Sequence, residues 1–301
     1  MLLRFLGGFL MALADSVPGV SGGTIAYIMG IYDEFIGSLH DIASRDKEKR
    51  KKAVFFLIKL GCGWIIGMVL ASLIIASVFE AHIYVMSSLF IGFILASIPL
   101  IIIDEKDCLK GKYINLIWAV LGFALVCGVT YLSTHVLPGV DSLKWGEFDA
   151  IQGVYIFLVA ALAICAMVLP GISGSTIMLI FGIYGAVMEG IKGFIKGALH
   201  LDFSYFMGLF IFGMGVIVGI CTIVRVLKVT LAKNRSAVTY FIVGMMVASL
   251  YAVVMGPASP SLENPSAPLS LDTFSIIWFV IGIGCIVGLQ FLKMKLVKKN
   301  G

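Results

Sequence analysis

Long stretches of this chain are apolar on every side, so the pattern of hydrophobic and polar positions marks spans rather than faces. Six uninterrupted runs cover about 54–79, 83–103, 113–137, 205–231, 237–256 and 273–293. Each has the ~20 residues an α-helix needs to cross a ~30 Å hydrocarbon core. Two further apolar stretches, 1–38 and 151–190, are interrupted by small and polar residues at Asp15–Gly23 and Leu169–Ser175. The prediction is an all-α polytopic membrane protein.

An internal repeat organises these elements. Pro18-Gly-Val-Ser-Gly-Gly-Thr-Ile-Ala-Tyr-Ile-Met-Gly-Ile-Tyr32 returns as Pro170-Gly-Ile-Ser-Gly-Ser-Thr-Ile-Met-Leu-Ile-Phe-Gly-Ile-Tyr184, with ten of fifteen positions identical at an offset of 152. The same offset pairs Gly61, Gly63 and Gly67 with Gly213, Gly215 and Gly219, and Gly92, Ala96 and Ser97 with Gly244, Ala248 and Ser249. The chain therefore reads as two copies of one unit, 1–150 and 151–301. Each copy is an interrupted element followed by three spans.

Composition agrees with the patterning. Of 301 residues, 60% are hydrophobic and 13% charged, well short of the polar skin a soluble domain of this size needs. The net charge of +5 sits at loops rather than on a basic face, which argues against nucleic-acid binding. Those loop charges also set the topology. With both interrupted elements entering and leaving on one side, 17 loop and terminal cations face the cytoplasm, against Lys144, Lys192 and Lys196 outside. With both crossing fully, the division becomes 11 against 9. The positive-inside rule prefers the first arrangement, with both termini cytoplasmic. Re-entrance of the first element rests on analogy with the second, because only Arg4 would change sides. Three spans per copy is an odd number, so the copies are expected to be two inverted-topology repeats, each a re-entrant helical hairpin plus three transmembrane helices. Met1–Asp15 carries a short apolar run and an Ala12-Leu-Ala14 ending like a signal-peptide cleavage site. The matching arm at 153–168 is internal, so the reading is a retained membrane segment.

The interruptions carry the candidate chemistry. Pro18 and Pro170 cannot continue a helix, and Gly19, Gly22, Gly23, Gly171 and Gly174 allow tight turning. Unwound backbone is costly in hydrocarbon unless it is buried in protein or lines a polar cavity. A helix starting after each break would aim its free N–H groups and positive dipole end at the gap, a natural anion site. Ser16, Ser21, Thr24, Ser173, Ser175 and Thr176 add hydroxyl donors. A tight Pro-Gly kink with locally satisfied serines is the simpler alternative for one such motif; two related copies favour a substrate site.

Arg225 is an ionisable group within the 205–231 span, so it is either a substrate contact or a side chain snorkelling beside Lys228. Asp15 stands where the second copy has Met167; it could carry a proton, neutralise Arg225 or cap the following turn. Gly63-Trp-Ile-Ile-Gly67 and Gly215-Val-Ile-Val-Gly219 predict close helix packing within one chain and leave a homo-oligomer open. Neither cysteine nor histidine spacing suggests a metal site, and no cofactor is expected.

Asp15-Ser-Val-Pro-Gly-Val-Ser-Gly-Gly-Thr-Ile-Ala26, with its echo Leu169-Pro-Gly-Ile-Ser-Gly-Ser-Thr-Ile177, resembles the polyprenyl-phosphate transporter (PopT-type) family of bacterial membrane proteins. The resemblance covers essentially the whole chain. It implies a non-enzymatic flippase that returns undecaprenyl phosphate, the lipid carrier of cell-wall synthesis, from the outer to the inner leaflet of the cytoplasmic membrane. The second copy lacks the Asp-Ser pair, so a role for that pair would belong to one repeat. A carrier or channel for a small soluble anion, and an intramembrane lipid-phosphate enzyme, are the competing classes.

Overall fold

The computed structural model describes residues 2–15, 21–70, 82–135, 149–171, 174–184, 186–187, 190–191, 193–194, 205–258 and 266–300. Among them the chain is helical, with no strand: α1 Leu2–Asp15, α2 Gly22–Ile28, α3 Tyr32–Asp41, α4 Lys47–Leu70, α5 Ile83–Asp104, the single turn α6 Lys106–Leu109, α7 Leu116–His135, α8 Ala150–Val168, α9 Gly174–Ile180, α10 Phe206–Met255 and α11 Ile276–Asn300. Polar caps set several starts. The Asp46 carboxylate accepts from the N–H groups of Glu48 and Lys49. Asp149 and Gln152 form a reciprocal capping box that opens α8. Within α10, Asn234 leaves helical geometry (φ −138°, ψ 55°), so this segment is two helices joined at a kink. The kink falls between the expected spans 205–231 and 237–256.

Five helical segments among the described residues are long and apolar enough to cross a membrane: Lys47–Leu70, Ile83–Asp104, Tyr113–Leu132, Ala150–Val168 and Phe206–Ala258, the last carrying the kink. The apolar part of α11, Ile276–Phe291, is shorter. Ala150–Val168, expected as one arm of the second interrupted element, is by length one of the five. Ile58, Ile65, Val120, Phe210, Ile217 and Val280 are exposed on the outside of the bundle. An apolar exterior of this kind belongs in lipid, and the chain has the build of a multi-pass membrane protein.

Ion pairs gather at one end. Arg4 pairs with Glu34 at 2.6 Å, Lys228 with Asp41 at 2.6 Å, and Arg235 with Asp33 at 2.8 Å and also with Glu105. These contacts join the start of α1, both ends of α3, the end of α5 and the kink of α10. At the opposite end the Tyr84 hydroxyl donates to the Ala267 carbonyl at 3.0 Å, and the Ser275 N–H donates to Ser88 Oγ at 2.9 Å. Helix α4 leads away from the charged end, while the first half of α10 leads into it.

Glycines set the helix contacts, and the contacts follow the sequence offset. Gly63 and Gly67 of α4 lie against the carbonyls of Phe5 and Phe9 on α1; Gly215 and Gly219 of α10 lie against those of Phe157 and Ala161 on α8. Each member of the second set is 152 residues beyond its counterpart. The close packing expected of the two GxxxG patterns thus occurs within the chain. Between the halves, Gly92 and Gly282 bring α5 against α11, with the carbonyls of Phe279 and Leu89 in contact. Gly122 and Gly244 likewise bring α7 against the second half of α10, at the carbonyls of Phe241 and Ala119. In lipid, where no hydrophobic force draws helices together, such backbone approach is the main source of helix affinity.

Gly63→Leu and Gly215→Leu should each lower stability by at least the ~1–3 kcal/mol typical of overpacking, because backbone cannot yield as a side chain would. Gly61→Leu and Gly213→Leu, with open space at the added carbon, should be near neutral. Thermal unfolding of the four variants in detergent checks the pairing.

Candidate functional site

At the first interruption, Ser21 has extended backbone (φ −119°, ψ 137°) that turns into α2. Ser21 caps α2, its Oγ accepting the Gly23 N–H at 3.1 Å. The same hydroxyl donates to the Leu169 carbonyl at 3.1 Å, in the second interruption. Leu169 is also extended, and Gly171 has φ +94°, a left-handed geometry that only glycine adopts without strain. The Gly171 N–H donates to Thr24 Oγ1 at 3.1 Å, and its carbonyl accepts from Ser249 Oγ at 3.0 Å. The Tyr32 hydroxyl donates to the Val168 carbonyl at 3.2 Å. A side chain at Gly23 would stand 3.0 Å from that carbonyl, so the approach of the two segments needs glycine there.

The two interruptions therefore touch, and hydroxyls of the first satisfy backbone groups of the second. Ser21 and Thr24 are buried, as is Ser249. Arg4 to Asp15 is eleven helical residues, or ~16 Å at ~1.5 Å per residue, which sets this polar seam about half a ~30 Å core away from the charged end.

Asp15 closes α1 and reaches into the seam. Its Oδ1 accepts the Gly22 N–H at 2.7 Å and its Oδ2 accepts the Trp64 indole N–H at 3.1 Å. Of the three roles open to Asp15 from the sequence, capping is the one its contacts display. It holds the first donor of α2, as Ser21 holds the second. Asp15 and Trp64 both depart from the repeat, facing Met167 and Val216 in the second copy, and they bond to one another. That shared departure was the signal that could have found Trp64. Ser249 and Tyr32 carried a different signal, since the repeat matches them with Ser97 and Tyr184.

The remaining candidates are placed as follows. Pro170 and Gly171 lie in the seam, while Gly174 and Thr176 begin α9. Ser16, Pro18, Gly19 and Ser173, with the Ser175 side chain, lie outside the described residues. Arg225 is exposed on α10, one turn before Lys228, and makes no hydrogen bond or ion pair to the seam among the described residues.

Below the seam, toward the charged end, polar contacts continue. The Tyr27 and Thr239 hydroxyls lie 3.4 Å apart, and Thr239 donates to the Arg235 carbonyl at 3.0 Å. The Arg235 guanidinium grips both Glu105 oxygens and also holds Asp33. Hydrogen bonding to Arg235 outweighs partial burial and holds the Glu105 carboxyl below its usual range. The Arg235 guanidinium is correspondingly raised by Glu105. This cluster ties α3, α5 and α10 together.

A family model described as undecaprenyl phosphate translocase-like matches residues 11–268. A protein of Vibrio cholerae serotype O1 named polyprenyl-phosphate transporter is 32% identical over 299 residues, covering 91% of this chain and 88% of that protein. A protein of Staphylococcus aureus with the same name is 31% identical over 293 residues, covering 95% and 93%. No solved structure matches.

Thr24→Val should cost about 1–3 kcal/mol by leaving the buried Gly171 N–H without its acceptor, and Thr24→Ser should restore most of it. Denaturation in detergent reads both. A carboxyl lowered in the folded state contributes stability above its ordinary range and loses it as pH falls through the folded value. Glu105→Gln should therefore be less stable near neutral pH and lose less on acidification, in thermal melts across the acid range.

Proposed function

The chain belongs to the undecaprenyl phosphate translocase-like family, and on that premise we propose that it transports a polyprenyl phosphate, with the phosphate held where the two interruptions meet. The observation that carries this reading is the buried polar seam itself, in which Ser21, Thr24, Leu169 and Gly171 bring irregular backbone together about midway through an apolar bundle. Backbone of this kind in a membrane protein is kept where it is buried in protein or lines a path for something polar, and the family favours the path.

In this reading the substrate is undecaprenyl phosphate, moved from the outer to the inner leaflet of the bacterial cytoplasmic membrane so that the carrier is used again. The charged end faces the cytoplasm. The halves are inverted repeats, each opening with a re-entrant hairpin. The Arg4–Glu34 pair supports re-entrance of the first hairpin, since α1 leaves and α3 begins at one level. The opposite directions of α4 and the first half of α10 support inversion.

Asp15 is a resident anion at the start of α2. An arriving phosphate takes the N–H of Gly22 when the carboxylate releases it, and protonation of Asp15 is the step that releases it. The hydroxyls of Ser16, Ser21, Thr24, Ser173, Ser175 and Thr176, with Gly19, Gly171 and Gly174, complete the headgroup site. Arg225, exposed near the charged end, meets the phosphate as it leaves into the cytoplasmic leaflet. The Arg235–Glu105–Asp33 cluster closes the cytoplasmic side while the headgroup enters from the other.

In proteoliposomes, Ser173→Ala/Thr176→Ala and Arg225→Ala should slow leaflet exchange of undecaprenyl phosphate about tenfold or more, hydrogen bonds to a charged group being worth about 1.5–3 kcal/mol each. Unchanged exchange in both would remove the headgroup assignment. Release of inorganic phosphate from the lipid would indicate an enzyme. Equal competition by inorganic phosphate would indicate a carrier of soluble anions.

A further inference from the structure

Beside the seam lies a cavity of about 440 Å³ whose lining includes Leu13 and Ala14 of α1, Ile25 of α2, Phe90 of α5, and Cys285 and Gly288 of α11. Three features define it. Its walls are apolar throughout, and cavities of that character stay dry and accept apolar ligands. Its volume lies within the ~300–1,000 Å³ range of ligand sites. Its position is continuous with the polar seam, because Ala14 immediately precedes Asp15 and Ile25 immediately follows Thr24. One wall is the buried pair Phe90 and Ile286, whereas Cys285 and Gly288 are exposed on the outer surface of α11, so the cavity opens toward lipid. Leu13, Ala14 and Ile25 lie on the charged-end side of Asp15 and Gly22, and Phe90 lies in the first half of α5, so the cavity runs alongside the seam.

We propose that this cavity is a tail subsite, which seats the isoprene units nearest the phosphate while the rest of the chain stays in the bilayer. The inference rests on the polyprenyl-phosphate reading above and adds a protein-held part of the tail to it. Chemistry selects the occupant. A phosphate in the seam carries its hydrocarbon with it, and the apolar space that adjoins the seam on the side open to lipid is the route that hydrocarbon takes. Burial of tail against protein also gives the carrier a way to prefer its substrate over free phosphate, since the seam alone sees only a headgroup.

The test uses the full chain in nanodiscs, with alkylation of Cys285 by a maleimide read by peptide mass spectrometry. Undecaprenyl phosphate should slow labelling of Cys285 severalfold, undecaprenol should slow it at higher concentration, and inorganic phosphate should not. Cys221, exposed on α10, serves as the internal control. In parallel, Gly288→Trp should weaken undecaprenyl phosphate binding about tenfold by filling the mouth of the cavity. Gly284→Trp, on the same helix with equally open space, should bind as the unaltered protein does. Binding of undecaprenyl phosphate with Cys285 unprotected and Gly288→Trp unaffected would overturn the subsite and leave the transport reading standing. Equal protection by undecaprenol and undecaprenyl phosphate would keep the subsite and remove the phosphate site. Equal protection by a palmitoyl phosphatidate would overturn the assignment to an isoprenoid.

Discussion

Hydrocarbon offers no partner to an unpaired peptide group, and the centre of this protein is organised by that constraint. Two stretches of chain leave helical geometry inside an apolar bundle, and the second is made tolerable by side chains of the first and of its neighbours. Ser21 serves the Leu169 carbonyl, Thr24 receives the Gly171 N–H, and Ser249 and Tyr32 take up further carbonyls of the second break. Pairing of the two breaks holds α1, α2, α8 and α10 in one arrangement and concentrates polarity at one place in the bundle.

The second constraint is distance between helix axes. Gly63, Gly67, Gly215 and Gly219 let α1 and α8 rest directly on α4 and α10. The pairs Gly92 with Gly282 and Gly122 with Gly244 then bind one half of the chain to the other. Each half therefore keeps its interrupted element close, while its third span packs on the second span of the other half.

Departures from the repeat matter as much as the repeat. Asp15 and Trp64 occur in the first half alone and bond to each other beside the first break. The Asp33–Glu105–Arg235 cluster ties α3, α5 and α10 together at one end, and an apolar cavity adjoins the seam. A symmetrical scaffold with unsymmetrical contents suits a carrier whose substrate has a charged head and a long apolar tail.

The membrane class was legible in the chain alone. Lipid imposes a length on every span and a breakage signal on every irregular segment, and both are written in local sequence. Glycine spacing likewise announced which helices would approach closely. Partners far apart in the chain were not legible. Nothing local ties Trp64 to Asp15, Arg235 to Glu105 or Tyr32 to Val168, and nothing local sets Arg225 on an exposed face away from the seam. Those pairings depend on rotation and register between packed helices, which a chain apolar on every side does not encode as a face. Tertiary structure decided them, through the few polar groups that must find one another once water is gone.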